Sequence, residues 1–308
     1  MSVGKKVLIT GGYGMIGKAL TQLLMNKGYT VSVLTRTPRD ANGVKAYRWD
    51  VASGFVDPKA LEVDCIIHLA GENIASSRWT DLRKKEILES RVNSTNLLYE
   101  AIKLQKNRPS MFIAASASGY YGAVTNDHIY SELDPAATDF LGNTCSKWEQ
   151  SVDQMQVLGM RVVKLRTGVV LSGNDGALAK MKVPVMLGIG SALGSGAQYF
   201  PWIHLDDLCA MYVYAIENST VHGPYNAVAP ASIDNRNFTK TLATVLHRPF
   251  FFPAVPAFAL RLLFGEMAAV LLEGSRVSAD KIQAAGFAFK YPLLTKALDD
   301  LLIKKNMR

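Results

Sequence analysis

The chain of 308 residues is long enough to bury a substantial core, as one large domain or as a larger and a smaller lobe, and its 49% hydrophobic and 19% charged content is that of an ordinary soluble globular protein. The formal charge of +8 raises nucleic acid as a partner, but the basic residues are scattered and the densest runs, Arg83-Lys84-Lys85 and Lys304-Lys305, are short and read as solvated faces, so no nucleic acid is expected. Cys65, Cys145 and Cys209 are odd in number, far apart and without metal-site spacing; they give no disulfide framework, no metal site, and suit a reducing, cytoplasmic setting.

Met1 to Lys6 is too short and too polar for a signal peptide. The stretch Val7-Leu-Ile-Thr-Gly-Gly-Tyr-Gly-Met-Ile-Gly17 then reads as strand, tight turn and helix. Gly11 permits the turn, Gly14 lets bare backbone approach a pyrophosphate, and Gly17 lets the helix pack closely on the sheet; the phosphates would lie over unpaired N–H groups at the helix's positive end. Ile16, Ala19, Leu20, Leu23 and Leu24 form the helical stripe, Gly28 ends it, and Tyr29-Thr-Val-Ser-Val-Leu34 is a second strand. A dinucleotide site selective for NAD places a carboxylate about 20 residues beyond the glycines, which would repel a 2′-phosphate. This chain has Thr35-Arg36-Thr37 there. Arg36 offers a fixed positive fork and Thr35 a hydroxyl, so NADP(H) is the expected cofactor; the duller alternative is a solvated arginine at a strand end.

Further on, Ala46-Tyr-Arg-Trp49, ending at Asp50, Cys65-Ile-Ile-His-Leu-Ala-Gly71, Met111-Phe-Ile-Ala-Ala115 and Arg161-Val-Val-Lys-Leu-Arg166 predict four more strands. A long helix carrying Val92, Leu97, Leu98, Ala101 and Ile102, and another over 140–158, alternate with them. That rhythm predicts an α/β fold: a Rossmann-type doubly wound parallel sheet with a smaller C-terminal substrate lobe. The division falls at residues 1–170 for the NADP(H)-binding domain and 171–308, interleaved at the boundary, for the lobe. From Ser172 to Phe200 the chain is glycine-rich and nearly free of acid, suiting either a lid or a set of short strands and turns. Asp206 or Asp207 is expected to cap the helix running to Ile216, and Ser278 one over 279–285. Residues 250–272, broken by Pro253, Pro256, Arg261 and Glu266, predict a buried helix with a Pro-rich lead-in and no membrane span.

The order of Thr10-Gly-Gly-Tyr-Gly-Met-Ile-Gly17, His68-Leu-Ala-Gly71, Ser116-Ala-Ser-Gly-Tyr-Tyr-Gly122 and Trp202-Ile-His-Leu-Asp-Asp207 resembles the extended short-chain dehydrogenase/reductases over nearly the whole chain. Ala70-Gly-Glu-Asn-Ile74, Arg78-Trp79, Arg166-Thr-Gly-Val-Val170, Phe200-Pro-Trp-Ile-His204, Gly265-Glu-Met267 and Ala285-Gly-Phe287 are similar to an atypical branch of them, usually called "epimerase family protein", which resembles sugar-nucleotide epimerases without an established substrate. The resemblance implies that Gly11, Tyr13, Gly14, Met15, Ile16 and Gly17 line the pyrophosphate, Thr35 and Arg36 the 2′-phosphate, and Asp50 the adenine. Leu69, Ala70, Gly71 and Glu72 would border the nicotinamide ribose, with Glu86 and Arg91 closing over the cofactor.

The wider family uses a serine, a tyrosine acting as general acid/base, and a lysine four residues later that lowers the tyrosine pKa. Aligned on Glu149, this chain has Leu141 in place of the tyrosine and Cys145 in place of the lysine. Lys147 lies about 200° around the helix from Cys145 and points away. Tyr99-Glu-Ala-Ile-Lys103 is upstream of the serine loop and reads as accidental. Ser116 or Ser118, with Tyr120 and Tyr121, remain where open α/β sheets bind ligands; Ser116 is taken to orient a substrate oxygen and Tyr121 to transfer a proton. Two functions follow. One is an NADP(H)-dependent oxidoreductase or epimerase-like enzyme acting on a hydroxyl or carbonyl of a small, unidentified substrate, with a nucleotide-linked one among the candidates, as a monomer or homodimer. The other is an NADP(H)-binding redox sensor or regulatory protein without turnover.

Overall fold

The computed structural model describes residues 4–303; the 304–305 basic run and Met1 to Val3 lie outside the described residues. The first strand, β1 (Lys6–Thr10), is central, and strand order reverses beside it. To one side lie β2 (Thr30–Thr35), β3 (Lys45–Asp50) and the short antiparallel edge β4 (Phe55–Val56). To the other lie β5 (Cys65–His68) and β6 (Met111–Ala117), then two strands from later in the chain. Between β6 and those strands a two-residue strand, β7 (Ile129–Tyr130), leaves the sheet. The sheet resumes with β8 (Arg161–Thr167), and β9 (Val169–Leu171) and β10 (Trp202–His204) pair with each other before β11 (Gly223–Ala227) completes it. The order is β11-β8-β6-β5-β1-β2-β3-β4, and every neighbouring pair except β3–β4 is parallel.

A parallel sheet must be covered on both faces, and strand alternation sorts the residues accordingly. Val7 and Ile9 face the core that holds α1 (Met15–Asn26), with Leu20 and Leu24. Leu8, Ile66 and Phe112 face the opposite core, where α2 (Asp81–Lys103) contributes Leu98 and Ile102, and α3 (Phe140–Asp153) contributes Trp148 and Val152. α4 (Gly176–Met186) follows β9, and α5 (Leu205–Glu217) packs on α1. α6 (Asn235–Val245), α7 (Ala257–Phe264), α8 (Ala269–Leu272), the strand β12 (Arg276–Val277), α9 (Asp280–Ala284) and α10 (Leu294–Leu302) complete the chain. A separate core joins Leu178 of α4, Trp202, Phe238 of α6 and Leu298 of α10, and β12 pairs with β7.

The doubly wound sheet matches the sequence reading; four local expectations do not. The 172–200 stretch contains a helix, α4, because Leu178 and Val185 repeat at helical spacing and seal it into the lobe core, while glycines flank it. The 250–272 stretch is two short helices broken at Gly265 (φ +61°), with Phe258 and Leu262 largely exposed at 73% and 77%, so it is not one buried helix. The α5 cap is His204, whose ring nitrogen accepts the Asp206 N–H at 3.0 Å. Asp207 is turned inward and accepts the Lys290 and Tyr291 N–H groups instead. Nor is Arg83-Lys84-Lys85 a solvated face: Arg83 joins Glu72, Glu86 and the Asn73 carbonyl, and Lys84 pairs with Glu266. β11 and α5 both come from beyond residue 170, so the sheet draws on both sides of the expected division.

Candidate functional site

At the reversal between β1 and β5 the strand ends open into a hollow, the usual ligand crevice of such sheets. The first turn is built by backbone. Gly11 has φ +68°, and a Cβ on Gly17 would stand 2.4 Å from the Gly11 carbonyl oxygen, so both positions require glycine. α1 starts at Gly14 with no side-chain cap and no carboxylate in its first turn, whereas α2, α3, α5 and α6 are each capped by a side chain. Its first N–H groups are therefore left for an anion.

The hollow, about 530 Å³, gathers Gly11, Tyr13, Gly14, Thr35, Arg36, Asp50, Leu69, Ala70, Gly71 and Glu72 along one wall. Met15, Ile16 and Gly17 continue into α1 and do not line it. Thr35 Oγ1 accepts the Thr37 N–H, and the Tyr13 hydroxyl donates to the Arg39 carbonyl at 3.1 Å, holding the Arg36–Arg39 loop against the glycine turn. Asp50 accepts the Ala52 N–H, and hydrogen bonds from Ser53 and from Ala52 hold its carboxyl below the usual range.

Ser90 and Ser94 of α2 line the same hollow, and one buried histidine fixes its floor. Thr10 Oγ1 accepts the Leu69 and Ala70 N–H groups, so its own proton goes to His68 Nδ1 at 2.8 Å. The Ser94 and Thr95 hydroxyls each donate to a carbonyl of the preceding helical turn and so accept from His68 Nε2–H at 3.2 Å. That accounting makes the ring neutral and Nε2-protonated. Burial, reinforced by the Arg91 cation, holds its pKa down at about 3. Glu72 and Glu86 are both held by Arg83; Glu86 stands behind Arg83 and does not line the hollow. Arg91 donates to the Ile87 and Glu72 carbonyls, stacks over Trp148 at 5.1 Å, and lines a second cleft.

The second cleft, about 280 Å³, lies at the C-terminal end of β6. Leu141, Thr144, Cys145 and Trp148 form one face of α3 along it, and a Cβ on Gly119 would stand 3.4 Å from Leu141 Cβ. Burial, then the Glu149 carboxylate, push the Cys145 thiol up to about 12, so it is uncharged. Lys147 is exposed on the far side of α3 with Gln150, and Lys103 pairs with Glu100 at the surface.

Ser116 and Tyr121, the expected catalytic pair, are turned away from the cleft. β6 and β8 run in register with Ser116 beside Arg166, so both face α3, where the Ser116 hydroxyl donates to Glu149 at 2.7 Å and Arg166 forks onto the same carboxylate at 2.8 and 3.0 Å. The Tyr121 hydroxyl, 1% exposed, donates to Asn226 at 2.6 Å and accepts from Arg166 at 3.0 Å. Burial outweighs the neighbouring Arg166 and pushes this hydroxyl up to about 12, the wrong direction for a base at neutral pH. Ser118, two residues on from Ser116, does line the cleft, as does Ser275, whose hydroxyl donates to the Gly122 carbonyl at 3.0 Å. Lys164 completes the buried cluster, bonded to Asp153 at 2.7 Å and 3.6 Å from Glu149.

Residues 7–227 match the NAD dependent epimerase/dehydratase family, and 255–301 match a domain of unknown function (DUF1731). The chain belongs to the NAD dependent epimerase/dehydratase family. It is 38% identical to Epimerase family protein SAR0825 of Staphylococcus aureus, over 97% of this chain and 100% of that one. Within the family it is also similar to the human epimerase family protein SDR39U1, solved with NADPH (TM-score 0.85, 36% identity, 96% of this chain and 98% of that one). The nucleoside-diphosphate sugar epimerase of Corynebacterium glutamicum gives a TM-score of 0.80 at 32% identity, over 97% of this chain and 58% of that one. The extended short-chain reductase branch read from the motifs is thus the branch to which these relatives belong.

Sequence reasoning missed Thr144 and Trp148, although the spacing that pairs 141 with 145 places 144 and 148 on the same helical face. It also missed Val270 and Glu273, which reach the cleft from the C-terminal region and carry no local signal.

Proposed function

We propose that the protein is an NADP(H)-dependent oxidoreductase of the epimerase-like branch, acting on a hydroxyl or carbonyl of a small substrate. The observation that carries the reading is the pair of hollows on either side of Arg91, which lines the cleft and donates to the Glu72 carbonyl of the other: an anion-ready glycine turn with Arg36 lies in one, and the face of Leu141 and Cys145 bounds the other. The residues fit the cofactor, since a Cβ at Gly17 would close the turn and α1 is left uncapped over it. Gly11, Tyr13 and Gly14 would hold the pyrophosphate, Thr35 and Arg36 the 2′-phosphate, Asp50 the adenine end, and Leu69 to Glu72 the inner ribose, with Arg91 between the hollows. The relative solved with NADPH supports the phosphorylated form. When bound, the nicotinamide supplies or accepts a hydride.

Among this chain's own residues, Ser118 is the hydroxyl at the strand end able to hold a substrate oxygen, while Leu141 shields that end without offering a proton. Ser116, Tyr121 and Arg166 act as positioning residues: their hydrogen bonds brace the 116–122 loop against α3 and β11 from behind. One observation favours the second reading, a redox-state sensor: Leu141 and Cys145 stand where the proton-handling pair would be, and Tyr121 is buried with a raised pKa. Titration of NADPH and NADH into the wild-type chain and Arg36→Ala tests the cofactor assignment. NADPH is expected to bind more tightly, and the variant to lose that preference. Equal losses for both nucleotides would remove the role of Arg36. Absence of turnover across carbonyl and sugar-nucleotide panels, with NADPH binding intact, would favour the sensor.

A further inference from the structure

We infer that the cleft takes an uncharged, mainly apolar compound bearing a single carbonyl or hydroxyl oxygen, and not a nucleoside diphosphate sugar. The inference rests on the cofactor reading above, because it concerns the ligand that shares the cleft with the nicotinamide. A diphosphate held in a protein needs cations or unspent N–H groups facing it. The cleft offers Arg91, whose two terminal nitrogens already donate to the Ile87 and Glu72 carbonyls. An adjoining hollow of about 520 Å³ meets it at Ala123, Leu141 and Glu273.

Among the described residues lining that hollow, Arg261 is the cation, against the three carboxylates of Asp139, Glu266 and Glu273. The one long helix that begins there, α3, is already capped: Asp139 accepts the Gly142 N–H at 2.8 Å and the Ala123 N–H at 2.7 Å. Its N-terminus has no open anion site, in contrast to the bare start of α1 in the cofactor hollow. With Glu266 paired to Lys84 and Asp139 spent on backbone N–H groups, the lining of this end presents no surplus of positive charge to hold a diphosphate.

The walls favour the opposite kind of ligand. Leu141, Trp148, Val169, Phe200 and Val270 line the cleft, and Trp79 and Phe140, in edge-to-face contact at 4.9 Å, line the adjoining hollow. Apolar and aromatic walls with a few hydroxyls are the chemistry of a pocket for a neutral organic molecule. Ser118, Thr144 and Tyr199 are the lining hydroxyls available to a ligand oxygen, those of Thr167 and Ser275 donating to the Leu165 and Gly122 carbonyls.

Calorimetric titration of the full chain loaded with NADP⁺, which prevents reductive turnover, tests this with cinnamaldehyde, 1-tetralone and UDP-glucose as probes. At least one neutral probe should bind more than about 10-fold more tightly than UDP-glucose, and Val270→Asp should weaken it by about 10-fold or more while NADP⁺ affinity stays within about twofold. UDP-glucose binding as tightly as the neutral probes, indifference of the neutral probe to Val270→Asp, or no neutral binding by a chain that binds NADP⁺ would each overturn the inference. A chain that binds no NADP⁺ would instead remove the cofactor reading, and this one with it.

Discussion

The two hollows are specified in opposite ways. The cofactor hollow is written mostly in backbone: Gly11 and Gly17 admit no side chain, α1 is left uncapped, and the decisive residues lie within one strand–turn–helix–strand unit. The cleft is written in side chains drawn from α2, α3, β6, β9 and the end of α8, and it rests on a buried charge cluster of Glu149, Lys164 and Arg166. A backbone-coded site tolerates no added atom. A side-chain-coded site tolerates exchange at its walls, as at Leu141 and Cys145, provided its buried support stays paired.

Substitutions can break this contrast. The largest effect should come from Glu149→Ala, which strips the buried Arg166 and Ser116 of their shared partner and should cost about 3–5 kcal/mol in urea denaturation. Gly17→Ala comes next. Its Cβ would meet backbone at 2.4 Å, so the turn must shift at a cost of about 1–3 kcal/mol, with nucleotide binding lost out of proportion to stability. A binding loss no greater than that of a surface control would argue against a backbone-coded site.

His68 gives a pH signature. Its folded pKa of about 3 lies below the unfolded value of 6.5, so the unfolded chain binds the extra proton between those limits. Stability is full above pH 6.5 and falls as pH drops toward 3, by up to about 1.4 kcal/mol per pH unit from this group. Urea midpoints measured from pH 7 to 4 should show a shallower slope in His68→Gln; an unchanged slope would contradict the neutral, buried ring.

Arg36→Ala should weaken NADPH by about 10-fold or more with stability and NADH binding little changed, as calorimetry can read. The smallest effect is expected of Tyr121→Phe, which removes a hydroxyl and its two hydrogen bonds, to Asn226 and from Arg166, behind the cleft: about 1–2 kcal/mol of stability, and nucleotide affinity within about twofold.

Legibility followed the same contrast. The doubly wound sheet could be read from apolar strands alternating with amphipathic segments, and the glycine turn that lines the first hollow could be read because glycine spacing encodes a backbone path. The orientation of Ser116 could not. Ser116 and Ser118 would share a face if the strand ran on; β6 instead ends at Ala117 and Ser118 opens a 3-10 turn, so Ser116 is held beside Arg166 and toward Glu149 while Ser118 reaches the cleft. Arg83 looked like one member of a solvated basic run, because its partners Glu72 and Asn73 are brought to it by a loop closure that composition does not record. Val270 and Glu273 are more than a hundred residues from α3 in sequence and meet it through the lobe.

The central claim is that one ligand spans both hollows, with its phosphorylated end at Arg36 and its reactive end against Leu141 and Cys145. A crystal structure of the protein grown with NADPH tests it most directly. The account predicts the 2′-phosphate on Arg36 and the inner ribose in van der Waals contact with the 141–145 face of α3. A nucleotide whose ribose lies away from that face, or whose phosphate points to solvent, would contradict it.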